Sequence, residues 1–336
     1  MKIVYSYIPH NYVEGQERFL PKKIAYVLML SVLQARKLYK DVELYTNPEQ
    51  AKFFKRLGIP FTRIDTLVLE HENANCPSIP KLKTYAAQTQ PFIHIDLDTV
   101  LFEKVPIAKN RPVLFAHSDF GGGVDYSCLN SIYTSYINPL TEAKDQLPDF
   151  YTSNYDHAEL PNMNTVVVQD VELFKNATQR ALDSYYKVKD IIDADYMRFC
   201  LPEQAFIHLE LKKLSEEYAQ MVRDDVHTYS KRVFTAVSNQ GELPFSIVSK
   251  TYINDKITIN KVEDIFKIKD YNFGGVMHLL GSLKDDIYIK AIVLHLIVTR
   301  FGGTYATNIS KAYGTELDEG EELYKNYTGH KFNNLL

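Results

Sequence analysis

The sequence predicts an α/β fold: a mostly parallel, mixed sheet flanked by helices, in a single domain with irregular loops on one side. Three observations carry this. Strand-like and helix-like segments alternate from Ile3 to Ile95 in the order β-α-β-α-β, which favours parallel strands with helices on the sheet faces. Phe92-Ile93-His94-Ile95 carries apolar residues on both faces, as a central strand covered on both sides does. Asn47-Pro48 and Gly58 fall where a strand and a helix should stop.

The elements follow in order. Ile3 to Ile8 reads as the first strand. Pro21 suits a first helical position, and Ile24, Val27, Leu28, Val32, Ala35 and Leu38 repeat at helical spacing. Val42 to Tyr45 is a short strand, Glu49 to Leu57 a helix, and Phe61 to Ile64 the next strand. Asp119 to Asn162 has no clear period and contains Gly121-Gly122-Gly123, the pattern of a functional loop region or lid. Met163 to Val168 is a second buried strand; Val171 to Tyr186 and Glu203 to Lys213 read as helices. Val276-Met277-His278 ends a late strand and Asp285 to Arg300 is a helix. The polar tail after Gly302 is expected to wrap or fray.

Composition bounds the function. The 336 residues are 45% hydrophobic and 24% charged, a globular balance. Lys plus Arg number 38 against 42 Asp plus Glu, a net charge of −4. No basic face is forced, so no nucleic-acid partner is expected. Cys76, Cys128 and Cys200 show neither disulfide nor zinc spacing and read as free thiols in a reducing compartment. The N-terminus has no signal-peptide pattern, and the apolar run Ile24 to Leu33 is too short to span a bilayer. A cytoplasmic protein without a transmembrane segment is expected, with peripheral membrane contact left open.

The sharpest local feature follows the central strand: Asp96-Leu97-Asp98. Strand alternation would turn both carboxylates the same way. Two carboxylates so close repel by roughly 4 kcal/mol at an effective dielectric near 20. A shared proton, a basic neighbour or a divalent cation must offset this. Ligands of open α/β sheets also collect at carboxyl ends of strands. An Asp-x-Asp triplet alone arises by chance about once in such a chain. Asp193-Ala194-Asp195 is a second one, in a context that reads as a solvated helix face. The apolar strand before Asp96 distinguishes the first.

The second feature is His278-Leu279-Leu280-Gly281-Ser282-Leu283-Lys284. His-x-x-Gly-x-x-Lys arises by chance only about 0.03 times in such a chain. A neutral imidazole can complete a carboxylate metal site. Gly281 lets backbone approach a phosphate, and Lys284 can meet it as a point charge. The plain alternative is a core histidine beside a turn and a surface lysine.

Together these motifs resemble the GT-A-fold (Rossmann-like) glycosyltransferases, family 8 in particular, and uncharacterised bacterial capsule-type glycosyltransferases. The resemblance implies Asp96, Asp98 and His278 as ligands of Mn²⁺ (or Mg²⁺), with Gly281 and Lys284 on the diphosphate of a nucleotide-sugar donor, a UDP-sugar being favoured. It divides the chain into a transferase domain, 1–300, and a C-terminal tail, 301–336. Within the domain, 1–118 would bind the nucleotide and 119–300 would complete the metal site and face the acceptor. Asn162-Met163-Asn164 resembles the family's sugar-contacting strand, although Thr165-Val166 replaces its small pair. Glu203-Gln204 resembles an acidic-Gln pair near the reacting carbon. Asn164, Glu203 and Gln204 are therefore the catalytic candidates. Ile79 to Tyr85 resembles the segment whose basic residue, here Lys83, meets the donor. Tyr5, Ser6 and Tyr7 end the first strand, where they could meet the base or simply pack in the core.

The implied reaction transfers a sugar to a hydroxyl of a glycan or lipid-linked acceptor, as in polysaccharide biosynthesis. Retention is weakly favoured by analogy; an inverting enzyme would need a base such as Asp156, Glu159 or Glu203. Two rival readings compete. A haloacid-dehalogenase-type phosphatase also begins with Asp-x-Asp, but the Gly expected after it is missing at Thr99. A non-catalytic nucleotide-sugar or glycan-binding protein is permitted by the altered stretch at Thr165.

Overall fold

In the computed structural model the described residues are 1–9, 20–72, 76–107, 110–116, 140–153, 161–193, 200–224, 226, 228–229, 233–239, 242–249, 256–270, 275–279, 286–314 and 317–332. The loop region from 119 to 162 lies mostly outside them, so the acceptor-side expectation, with Asp156 and Glu159, does too. Gly281, Lys284 and Cys128 are likewise outside.

β1 (Lys2–Ser6), α1 (Lys22–Leu38), β2 (Val42–Tyr45), α2 (Pro48–Leu57) and β3 (Arg63–Asp65) form the alternating first part. Asn47 caps α2 by accepting from the Gln50 N–H, and Pro48 follows where its missing N–H costs nothing. Gly58 ends it at φ 68°, a left-handed conformation that glycine adopts without strain. α3 (Ser78–Ala86) then leads into β4 (Phe92–Ile95), β5 (Thr99–Leu101) and β6 (Val113–Phe115). α4 (Asp149–Ser153), β7 (Thr165–Val168) and α5 (Val171–Asp193) follow, then a π-helix (Leu201–Phe206), α6 (Ile207–Leu214) and α7 (Glu216–Arg223). β8 (Val233–Asn239), β9 (Glu242–Ser249) and β10 (Lys256–Ile259) precede a 3₁₀ segment (Val262–Asp270) and β11 (Val276–His278). α8 (Ile287–Phe301), α9 (Gly303–Tyr313) and α10 (Glu319–Thr328) close the described chain.

The central sheet has the order β3-β2-β1-β4-β7-β6. β3, β2, β1 and β4 are parallel, and β7 runs antiparallel to both β4 and β6. This is the mostly parallel, mixed α/β sheet read from the sequence. Alternation along each strand builds two cores. Ile3, Tyr5, Ile93, Ile95 and Val167 pack with α1 and α8 on one face, whereas Val4, Phe92, Val166 and Val168 pack with α3 and α5 on the other. Burying each aliphatic side chain stabilises by about 1.5–3 kcal/mol.

A second sheet, β10-β9-β8-β11-β5, contains as β11 the late strand read from the sequence at Val276–His278, whereas β8, β9 and β10 were not read from it. Its use is positional. β11 pairs antiparallel with β5, placing His278 opposite Thr99. The chain after Gly302, expected to wrap or fray, packs on the core as two helices, α9 and α10. Asp318 and Glu321 form a reciprocal capping box at the start of α10. Glu321 is fully buried, pairs with Lys22 and accepts from the Tyr26 hydroxyl, which fastens α10 to α1. Among the described residues no helix is long and apolar enough to cross a membrane.

A candidate metal site

The site is assembled where β4 ends. The strand stops at Ile95, and Asp96, Leu97 and Asp98 form a turn closed by the Thr99 N–H donating to the Asp96 carbonyl, 3.1 Å. The carboxylates therefore converge through a turn, not through strand alternation as the sequence suggested. The Asp96 N–H donates to the Asn164 carbonyl at 2.9 Å, anchoring the turn to β7's entry. On the other side the Leu279 N–H donates to the Asp98 carbonyl at 3.0 Å, which holds the end of β11 against it.

That pairing brings the late histidine in. His278 Nε2 lies 3.6 Å from Asp98 Oδ1. One ligand atom each of Asp96, Asp98 and His278 lies within 4.8 Å of the others, the grouping of this kind found among the described residues. Two carboxylate oxygens and an imidazole nitrogen suit a divalent cation of the Mn²⁺ or Mg²⁺ type, and three protein ligands leave coordination positions for other oxygens. The residues present therefore fit such an ion.

A lysine completes the cluster. Lys81 Nζ is 2.6 Å from Asp96 Oδ1 and 2.8 Å from Glu203 Oε1. Burial works against the ammonium, but Asp96 and Glu203 outweigh it and hold Lys81 above its ordinary range. Asp96 and Glu203 thus share one ammonium, and Asp98 adds a third carboxylate beside Asp96. The excess negative charge is what a divalent cation would neutralise.

Lys81 is the basic residue that the sequence pattern misses. Pattern alone singles out Lys83, but α3 turns Lys83 to Glu72 and Lys81 inward. The signal is helical: Lys81 and Tyr85 stand one turn apart on one face. It is visible only once Ile79 to Tyr85 is taken as a helix.

The remaining candidates separate. Glu203 and Gln204 are both buried on the π-helix, an irregularity frequent at functional sites. Asn164 is buried next to Asp96, and its N–H donates to Asn162 Oδ1 at 2.9 Å. Tyr5 is a core residue: it is fully buried, and its hydroxyl hydrogen-bonds with Ser31 Oγ at 2.7 Å. Tyr7 is half-buried against Phe54. Ser6 sits at the strand's end, bonded to the buried His94. Burial, and then the Lys81 charge, hold the His94 imidazole well below its ordinary range, so it is neutral.

The fold and the site define an α/β protein with a carboxylate–imidazole cluster at the carboxyl edge of its central strand. The chain belongs to the family of unknown function DUF6734, whose model matches residues 1–240. The match takes in Lys81, Asp96, Asp98 and Glu203 but not His278. No curated protein sequence matches significantly. Among solved structures, the galactosyltransferase LgtC in complex with donor and acceptor sugar analogues is similar at 10% identity, over 96% of this chain and 100% of that one, TM-score 0.40. An active-site mutant of LgtC is similar at 9% identity, over 84% and 88%, TM-score 0.35. The WbbM bifunctional glycosyltransferase is similar at 12% identity, over 96% of this chain, TM-score 0.41; this chain spans 51% of WbbM. At these scores the likeness is one of outline, and the functional reading rests on the residues.

Proposed function

We propose that this chain is a divalent-metal-dependent glycosyltransferase of the GT-A type. It would move a sugar from a nucleotide-diphosphate donor, UDP-sugars being favoured, to a hydroxyl acceptor such as a glycan or lipid-linked precursor of a bacterial surface polysaccharide. The observation that carries the reading is the convergence of Asp96, Asp98 and His278, distant in the chain, within 4.8 Å of one another.

Each residue has a part. Asp96, Asp98 and His278 would hold Mn²⁺ or Mg²⁺, which when bound supplies a Lewis acid for the charge that builds on a departing diphosphate. Gly281 and Lys284 follow His278 closely in sequence and would meet the same diphosphate. Lys81 bridges Glu203 and Asp96, which sets Glu203, followed by Gln204, one salt bridge away from a proposed metal ligand. Their place suits contact with the reacting sugar, with Asn164 on the adjoining strand entry. Holding donor and acceptor in one geometry supplies much of the acceleration in such transfers. A retaining course and a cytoplasmic location belong to this proposal.

The test is release of free sugar or transferred sugar from a panel of UDP-, GDP- and CMP-sugars with Mn²⁺. Turnover of one donor, abolished by EDTA, is expected. Nucleotide binding without any turnover would favour the non-catalytic binding protein. Hydrolysis of a phosphate monoester with no nucleotide-sugar present would favour the phosphatase.

A further inference from the structure

We propose that His94 is a positioning residue: its buried imidazole fixes the Ser6 hydroxyl at the end of β1 as a group that meets a nucleoside. It thereby sets nucleoside affinity separately from the grip on the diphosphate. The inference rests on the nucleotide-sugar reading above and deepens it.

The strand register comes first. β1 and β4 are parallel with Val4 beside His94. Two residues further along the two strands' paths stand Ser6 and Asp96. Ser6 follows Val4, and His94 follows Phe92, by one full alternation, so Ser6 and His94 share the face that packs on α3. Ser6 Oγ and His94 Nε2 are 3.0 Å apart in a hydrogen bond. His94 Nδ1 bonds the Tyr85 hydroxyl at 3.3 Å, and the Tyr85 ring meets the imidazole edge-on at 4.8 Å.

The chemistry follows from the count of directions. Both imidazole nitrogens are used inside the protein, and His94 is fully buried. No atom of it is offered to a ligand. A serine hydroxyl has one donor and two acceptor directions. His94 takes one of them, and the others remain with Ser6 at the carboxyl end of β1. Ser6 keeps 8% exposure there. Tyr85 carries the frame onward, because Lys81, one turn earlier on α3, holds Asp96 and Glu203. His94 itself stays 4.0 Å from Asp96 Oδ1, outside hydrogen-bond range, so its loss leaves the metal ligands' own contacts in place.

The experiment is calorimetric titration with Mn²⁺ of two probes. One is inorganic pyrophosphate; the other is whichever of UDP, GDP and ADP the wild type binds most tightly. His94→Phe and Ser6→Ala should each weaken the nucleoside diphosphate about tenfold, the worth of one well-placed hydrogen bond. Pyrophosphate should change by less than about twofold. The double variant should be no weaker than either single one, since both remove the same contact. His94→Gln, which keeps a polar group, should recover part of the loss. Equal weakening of both probes, additive losses, or an unchanged nucleoside diphosphate would overturn the proposal. If His94→Phe does not fold, Ser6→Ala, His94→Gln and their double variant give the same comparison. A wild type that binds pyrophosphate but no nucleoside diphosphate overturns this inference alone. One that binds neither overturns the nucleotide-sugar reading with it.

Discussion

His278 Nε2 stands 3.6 Å from Asp98 Oδ1, held there by β11 pairing with β5 directly after the Asp96–Asp98 turn. Strand pairing, not sequence proximity, builds the cluster. Asp98→Ala should therefore abolish the stabilisation that Mn²⁺ confers, and His278→Ala should reduce it. A ligand at one hundred times its Kd stabilises by about 2.7 kcal/mol. Melting curves with and without Mn²⁺ check this; a metal effect that survives Asp98→Ala counts against the assignment.

Lys81→Met should leave Asp96 and Glu203 facing each other without a counter-ion. Breaking a buried pair on one side destabilises by about 3–5 kcal/mol. Asp96 and Lys81 each keep 20% side-chain exposure, so the lower end applies, about 3 kcal/mol. Urea unfolding measures it, and saturating Mn²⁺ should restore part of the loss. Lys83→Met removes a pair with Glu72 whose lysine is 34% exposed and so more solvent-screened, and it should cost less, about 1 kcal/mol. Equal losses would place the working lysine wrongly.

Much of this was legible before any fold was seen, and the failures have physical causes. β4 announces itself because both its faces are buried, and α2 because Asn47, Pro48 and Gly58 punctuate it. α3 hides because Pro80 looks like a helix breaker. It falls in the first turn, where its missing N–H has no helical partner to lose. With α3 hidden, Lys81 could not be told from Lys83. β5 has three residues, too few to show a period, and although Val276–His278 reads as a strand, its pairing with β5 is not in the sequence. α10 is polar along most of its length, but Asp318 and Glu321 at capping-box spacing are a signal the sequence does carry.

Glu321→Ala tests the role of that last helix. It removes a fully buried carboxylate that pairs with Lys22 and Tyr26. A loss of about 3 kcal/mol in urea unfolding is expected, with pyrophosphate–Mn²⁺ affinity unchanged. A neutral effect on stability would mean α10 is not part of the folded core.

Alkali should weaken the fold. Burial raises the Cys76 thiol from 9.0 to about 11, and burial also raises Tyr5 and Tyr85 above their ordinary range. Above pH 9 the unfolded chain has released protons that the folded chain still holds, so stability falls as pH rises. Unfolding free energies from pH 8 to 11 should decline, steepest beyond about pH 9. Cys76 should react with a thiol reagent at pH 8 only after unfolding. Rapid labelling in the native protein would contradict this placement.

The most direct measurement of the central claim is calorimetric titration of UDP, GDP and ADP into the wild-type protein with Mn²⁺ and again with EDTA. Binding of one nucleoside diphosphate in Mn²⁺, lost in EDTA and absent in Asp98→Ala, is the expected result. Binding that is equally tight in EDTA, or no binding of any of the three or of pyrophosphate, would contradict a metal-bridged diphosphate at Asp96, Asp98 and His278.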